Sequence, residues 1–254
     1  MTFNYPLTFL KILPFAILIV VCLGCQTLET VESTKIPQNE IRQTYVVTAT
    51  REGTQVTAYF NQGSWGKSVD LDAPSRIEHN DAELAQSSMT FLTGTTYGLN
   101  QPSVETVHRF IYTNNDRKVF RNELSFEPLE LPAGEIFIKR SEETVVRLSR
   151  AVGQDEKVSI SLKSLQERPD SDNSNAAPKN TKTNSQEYDL FLNNELDESR
   201  SAIILKPKNL KKFVNGKAVL TIEISRDLPL QQETPAGGTM RWSYSSTIQA
   251  SVTN

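Results

Sequence analysis

The sequence predicts an all-β protein, two tandem antiparallel β-sandwich domains behind an apolar leader and a polar tether, and three observations lead there. Apolar residues recur at every second position from Thr44 onward, as in "TYVVTATR" and "KAVLTIEISR", the period of a strand with one buried face. The runs are short and are separated by turn-forming clusters such as "EGT", "NNDR" and "AVGQD", the punctuation of a sandwich. No long stretch carries apolar residues at helical spacing, and "KPKNLKKF" has room for a single turn.

Residues 1–24 read as a targeting segment. "MTFNYPLTFLK" carries the amino terminus and Lys11 without an acid, and residues 12 to 24, "ILPFAILIVVCLG", form an apolar run of 13. A positive end followed by a short apolar core is the layout of a secretory signal. A bilayer-spanning helix needs about 20 apolar residues, so this core alone is short. An uncleaved signal anchor stays open if Lys11 snorkels to the interface.

Gly24-Cys25, with Leu23 and Cys22 before it, resembles the lipobox of bacterial lipoproteins, although that pattern more often has a small residue and a Leu at those two positions. The resemblance implies that Cys25 is diacylated and becomes the new amino terminus, so that the lipid bilayer is a partner through Cys25. It also implies, by the enteric sorting rule, that Gln26 in place of Asp favours the outer membrane over the inner one. Cys22 then leaves with the leader and Cys25 carries lipid, which leaves no thiol for a disulfide, a Cys-ligated metal or a nucleophile. Removal of 24 residues from 254 leaves 230, with 26 Lys and Arg against 30 Asp and Glu, a net charge of −4. This is not the strongly basic footprint of a nucleic-acid binder.

After Cys25, residues 25–42 are polar, include Pro37 and lack a periodic apolar face, which reads as a flexible tether with a reach of roughly 20–25 Å. The first domain, residues 43–127, opens with a hairpin: Tyr45, Val47 and Ala49 share one face, and Val56, Ala58 and Phe60 share the face across the turn. Further strands follow in "KSVDL", "SRIE", "MTFLT", "ETVHRFIYT" and "KVFRNELSF". The second domain, residues 128–254, restarts the pattern beyond Pro128 and Pro132 with "ETVVRLSR" and "EKVSISLKSL" flanking "AVGQD". Its later strands put Ala218, Leu220, Ile222 and Ile224, then Trp242, Tyr244, Ile248, Ala250 and Val252, on buried faces. Between them, residues 167–186 are rich in Asn, Ser and Pro and too poor in apolar groups to offset ordering entropy, so a mobile loop is expected. "VVTATR" and "VVRLSR" read either as traces of an internal duplication or as shared β-propensity. The strand pattern resembles tandem immunoglobulin-like or fibronectin-like domains, without the Cys-Trp-Cys signature of antibody domains.

The chemistry is sparse. His108 alternates with Phe110 and Tyr112, so it reads as a buried, hydrogen-bonded histidine, and His79 in "EHND" reads as a turn residue. A metal centre would need the two together with a carboxylate, and no zinc-type His-Glu spacing is present; no metal and no cofactor are expected. "PDSDNSN" starts like a calcium loop at Asp170 and Asp172 but lacks its glycine and final glutamate. Asp70 and Asp72 in "VDLDAP" read as turn chemistry. A nucleophile elbow and a phosphate-cradling loop are both absent, and the chain reads as a non-enzyme.

Two surfaces remain. Trp65 stands between Gly63 and Gly66, and Tyr97 precedes Gly98; either ring can project as a contact plate for a protein or a glycan, or cap its own sandwich. Lys206, Lys208, Lys211 and Lys212 lie in an acid-free segment, Ser199 to Ile222, which can face phosphates or an acidic partner or simply keep an edge soluble. The sequence thus reads as a non-catalytic envelope lipoprotein with an unidentified envelope protein partner. Glycan binding through Trp65 and Tyr97 is the alternative, and a hydrolase built from scattered carboxylates comes third.

Overall fold

The computed structural model describes residues 29–64, 66–87, 94–166, 188–192 and 195–254. The leader, Cys25, Trp65, the strand expected at "MTFLT" and the loop 167–186 lie outside the described residues. Within them the fold is all-β and sandwich-like, and no helix is long and apolar enough to cross a membrane.

The strands in chain order are β1 (Thr30–Glu32), β2 (Ile41–Thr50), β3 (Gly53–Gln62), β4 (Ser68–Asp70), β5 (Arg76–His79), β6 (Ala82–Glu83), β7 (Ala85–Gln86), β8 (Thr96–Gln101), β9 (Val107–Thr113) and β10 (Val119–Ser125). They continue with β11 (Glu135–Lys139), β12 (Thr144–Arg147), β13 (Lys157–Ser164), β14 (Asp189–Leu192), β15 (Ala202–Leu205), β16 (Gly216–Leu228) and β17 (Gly238–Thr253). The expected single helical turn is α1, Pro207–Leu210.

The period-two reading locates the buried faces. In the β2–β3 hairpin, Tyr45 lies opposite Ala58 and Val47 opposite Val56, and all of Tyr45, Val47, Ala49, Val56, Ala58 and Phe60 are fully buried. The same holds for Ala218, Leu220, Ile222 and Ile224 of β16 and for the alternating residues Trp242 to Val252 of β17. Burying every second side chain fixes register, because a one-residue slip would turn each apolar set to water.

The large sheet runs β1-β4-β3-β2-β17-β16-β13-β14, with β11 on β17 and β8 on β3. A second sheet, β10-β9-β5-β6, covers the β2–β3 region: Tyr45 stacks on Phe110 at 4.5 Å and Phe60 lies 4.7 Å from Tyr112. The pair β12–β15 buries Val146, Ile203 and Leu205 in the core beside the second half.

Two expectations need adjustment. The sheet does not stop at the 127/128 boundary, because β17 pairs with β2 in parallel over eight residues, from Gly238–Gln43 to Ser245–Thr50. The buried residues of both halves form one core cluster. Residues 30–42 are not a free tether: β1 pairs with β4, and Ser33 is fully buried, its hydroxyl taking bonds from the Asp72 amide at 2.9 Å and Asn115 Nδ2 at 3.0 Å. Ser33 and Gln38 bond to backbone groups here while their polar neighbours face water, a difference that hydropathy does not reveal. The segments "ETVVRLSR" and "EKVSISLKSL" that flank "AVGQD" find separate partners. β12 pairs with β15 and β13 with β16 and β14.

Candidate functional site

Among the described residues, His79, Glu105 and His108 form a group of potential metal ligands whose donor atoms lie within 4.8 Å of one another. His79 ends β5, just before a two-residue turn in which Asn80 and Asp81 both have positive φ, 45° and 68°. Asn and Asp tolerate that backbone. The turn aims Asn80 back across the sheet: its Oδ1 accepts the Arg109 amide at 2.9 Å and its Nδ2 donates to Glu105 Oε2 at 2.8 Å. His79 faces Phe110 across the ladder, and His108 is the diagonal neighbour on the same face of β9. Gln101 Nε2 holds the other Glu105 oxygen at 2.8 Å.

Both imidazoles are inside the sandwich, 1% and 0% exposed. His79 Nε2 is 2.9 Å from His108 Nδ1, and His108 Nε2 is 2.9 Å from the Glu105 carbonyl oxygen. The carbonyl can only accept, so His108 carries its proton on Nε2 and offers a lone pair at Nδ1, to which His79 Nε2–H donates. His79 Nδ1 is then a lone pair, buried and without a partner. Burial pushes the His79 imidazole down to about 4, with His108 adding to the effect and Glu105 opposing it. Burial also lowers His108, against the pull of Glu105. The pair is neutral near pH 7.

The surroundings are aromatic. His79 lies 5.2 Å from Phe110, His108 stacks on Phe126 at 5.9 Å, and Phe126 stacks on Trp242 of β17 at 5.2 Å. Solvent reaches the cluster's neighbourhood from the Glu105 side, where Pro102, Ser103, Thr106 and Val107 are exposed.

Tyr97 is not a projecting plate. It is 6% exposed, its ring meets Phe60 at 5.9 Å, and its hydroxyl accepts the Leu71 amide at 2.7 Å. Burial pushes that phenol up to about 12. The glycan reading therefore loses one of its two rings, while the other, Trp65, is outside the described residues. Gly98 follows Tyr97 because a Cβ there would lie 2.6 Å from the Val56 carbonyl oxygen, a packing reason and not a binding one.

The lysines do not converge on one site. Lys206 is 3.8 Å from the buried Glu195 carboxylate, whereas Lys208, Lys211 and Lys212 are exposed around α1. A cleft of about 290 Å³ nearby is lined by Glu156, Glu195, Asp197 and Arg200 among others; Glu195 is bonded by Asn209 at one oxygen and has Lys206 3.8 Å from the other, and the remaining two carboxylates are engaged. Glu156 takes a two-pronged bond from Arg150 at 2.8 and 2.9 Å, and Asp197 accepts the Ser201 and Ala202 amides. Carboxylates committed this way are poor candidates for moving protons.

Sequence reading found the burial of His108 through its alternation with Phe110. It missed Glu105, although Glu105-Thr-Val-His108 is a visible spacing, and it missed the meeting with His79, which depends on strand pairing. No protein-family model matches this chain, and no curated protein matches its sequence.

Proposed function

We propose that the chain is a lipid-anchored envelope protein that works as a non-catalytic interaction module. The anchor rests on Gly24-Cys25 at the end of the apolar leader. Because β1 starts at Thr30, five residues past Cys25, an extended link spans at most roughly 17 Å. The body then rides close to the bilayer, not at the end of a long tether.

The observation that carries the interaction reading is the outward face of the second half of the large sheet. Phe137 of β11 and Phe191 of β14 are 73% and 74% exposed, and Leu165 is 55% exposed. Phe137 lies beside Ser251, Ser251 opposite Lys217, and Leu165 bonds to the Lys217 carbonyl, so Phe137 and Leu165 bracket one row across four strands. Phe191 lies opposite Ser161 on the same face. Large apolar groups turned outward on a sheet whose inner positions are filled mark a contact surface for another envelope protein.

A photo-reactive residue at Phe137 is the test, with Cys25→Ser as the anchor arm. The expected outcome is a discrete crosslink to an envelope protein, lost in Phe191→Asp, and release of the Cys25→Ser chain from membranes. Crosslinks confined to the chain itself would remove the interaction reading. A Cys25→Ser chain that stays with the membrane after loss of residues 1–24 would remove the anchor.

A further inference from the structure

We propose that His79, His108 and Glu105 bind one divalent transition-metal ion of the Zn²⁺ class, through one ring nitrogen of each histidine and a carboxylate oxygen of Glu105. Two imidazoles and a carboxylate suit Zn²⁺, Co²⁺ or Ni²⁺ better than the oxygen-seeking Mg²⁺ or Ca²⁺.

The cluster has more electron-pair donors than protons to share among them. His79 Nδ1 is buried and unpartnered, and so is Gln101 Oε1, on the same amide whose nitrogen holds Glu105. The Glu105 carboxylate is held by two neutral amides, from Asn80 and Gln101, and among the described residues by no basic side chain. The open His79 Nδ1 can take the proton that Nε2 gives up to a metal, and the uncompensated carboxylate is what a cation would satisfy. An unpaired buried acceptor is costly to leave, so natural folds seldom keep one without a partner.

The geometry suits an ion. Ligands about 2.0–2.1 Å from a common metal are separated by roughly 2.9–3.4 Å, depending on the angle between the bonds; the facing His79 Nε2 and His108 Nδ1 are 2.9 Å apart once the Nε2 proton moves to Nδ1, and all three donor atoms lie within 4.8 Å of one another. The supporting contacts also match a metal site. His108 donates its other nitrogen to a backbone carbonyl, which fixes the tautomer, and the carboxylate is oriented by side-chain amides; such outer contacts are what tune ligand affinity. The aromatic walls exclude water, and Glu105 at the rim provides the way in.

The full chain, purified in detergent without a metal-affinity tag, decides this. Elemental analysis should find close to one equivalent of Zn²⁺ per chain. After dialysis against a chelator, Zn²⁺ alone should titrate back with a stoichiometry of one and raise the melting temperature, and Co²⁺ should give visible absorption bands of nitrogen-and-oxygen coordination. Glu105→Gln keeps the side-chain shape and one of the two amide contacts, and a flipped Gln101 amide can accept from its new NH2, so it should fold while losing at least ~10-fold in Zn²⁺ affinity. His108→Gln should lose the Co²⁺ bands. A cooperatively folded wild-type chain that binds no stoichiometric metal would overturn the proposal and leave a buried water as the partner of His79 Nδ1. Zn²⁺ binding that Glu105→Gln leaves intact would overturn it too, since the ion would then be on the surface.

Discussion

At the scale of single residues, the consequence of burying two neutral histidines is acid sensitivity. In the metal-free, chelated chain, His79 titrates near about 4 when folded and near its ordinary value of about 6.5 when unfolded. Between those values the unfolded chain binds the extra proton, so stability falls as pH falls through the window and is fully present above about pH 7. Glu105 is the charged group that faces the pair, and its carboxylate softens the effect without reversing it. We expect a loss on the order of 2–3 kcal/mol between pH 7 and 4, measured by urea unfolding in chelator. His79→Gln should flatten that slope, and a slope unchanged by it would show that other groups carry the acid response. The burial of His108 was legible in the sequence because Phe110 and Tyr112 share its strand face. Its pairing with His79 was not. A ring within "EHND" looks like part of a turn, and only the ladder between β5 and β9 shows that the turn starts one residue later.

At the scale of elements, strand faces were legible and strand partners were not. A period of two reports which side of a strand is dry, and it placed the buried faces of β2, β3, β16 and β17 correctly. It carries no information about which strand lies alongside. "ETVVRLSR" and "EKVSISLKSL" are neighbours in sequence across a turn, yet β12 reaches across to β15. The segment 30–42 was opaque for a different reason: its fixed points are Ser33, Gln38 and Asn115, polar groups bonded to one another. The pairing that matters most, β17 with β2, begins at Gly238. A Cβ there would lie 2.2 Å from the Gln43 carbonyl oxygen and 2.4 Å from Leu230 Cδ1, so the strands can approach only because the side chain is missing. Gly238→Ala should therefore cost about 1–3 kcal/mol through overpacking, with amide exchange accelerating first at the Gly238–Ser245 end of β17. Full retention of stability would mean that the strands separate there without consequence.

Over the whole molecule, the question is whether the halves unfold together. The parallel β17–β2 pairing is one link, and Trp242 is another, since it leaves β17 to pack on Phe126 after β10. Glu130 is a third. Just past the boundary expected at 127/128, its carboxylate takes bonds from Tyr244 and Arg51 and from Ser246 Oγ at 3.2 Å, tying the connector to the β2–β3 turn and to β17 at once. Burial, with Glu130 adding to it, holds the Tyr244 phenol well above its usual range, so it stays protonated and keeps donating at any ordinary pH. Sequence composition suggested two separable sandwiches because Pro128 and Pro132 interrupt the strand pattern. What the prolines interrupt is the chain and not the core. We therefore expect one cooperative transition. Trp242→Ala, which truncates a ring 2% exposed, should destabilise by about 3–5 kcal/mol. Hydrogen exchange should then show amides of β9 in the first half and β16 in the second opening at the same denaturant concentration. Two separate steps, with β16 opening while β9 keeps its protection, would mean that the links across the boundary are too weak to couple the halves, and that each sandwich holds its own core.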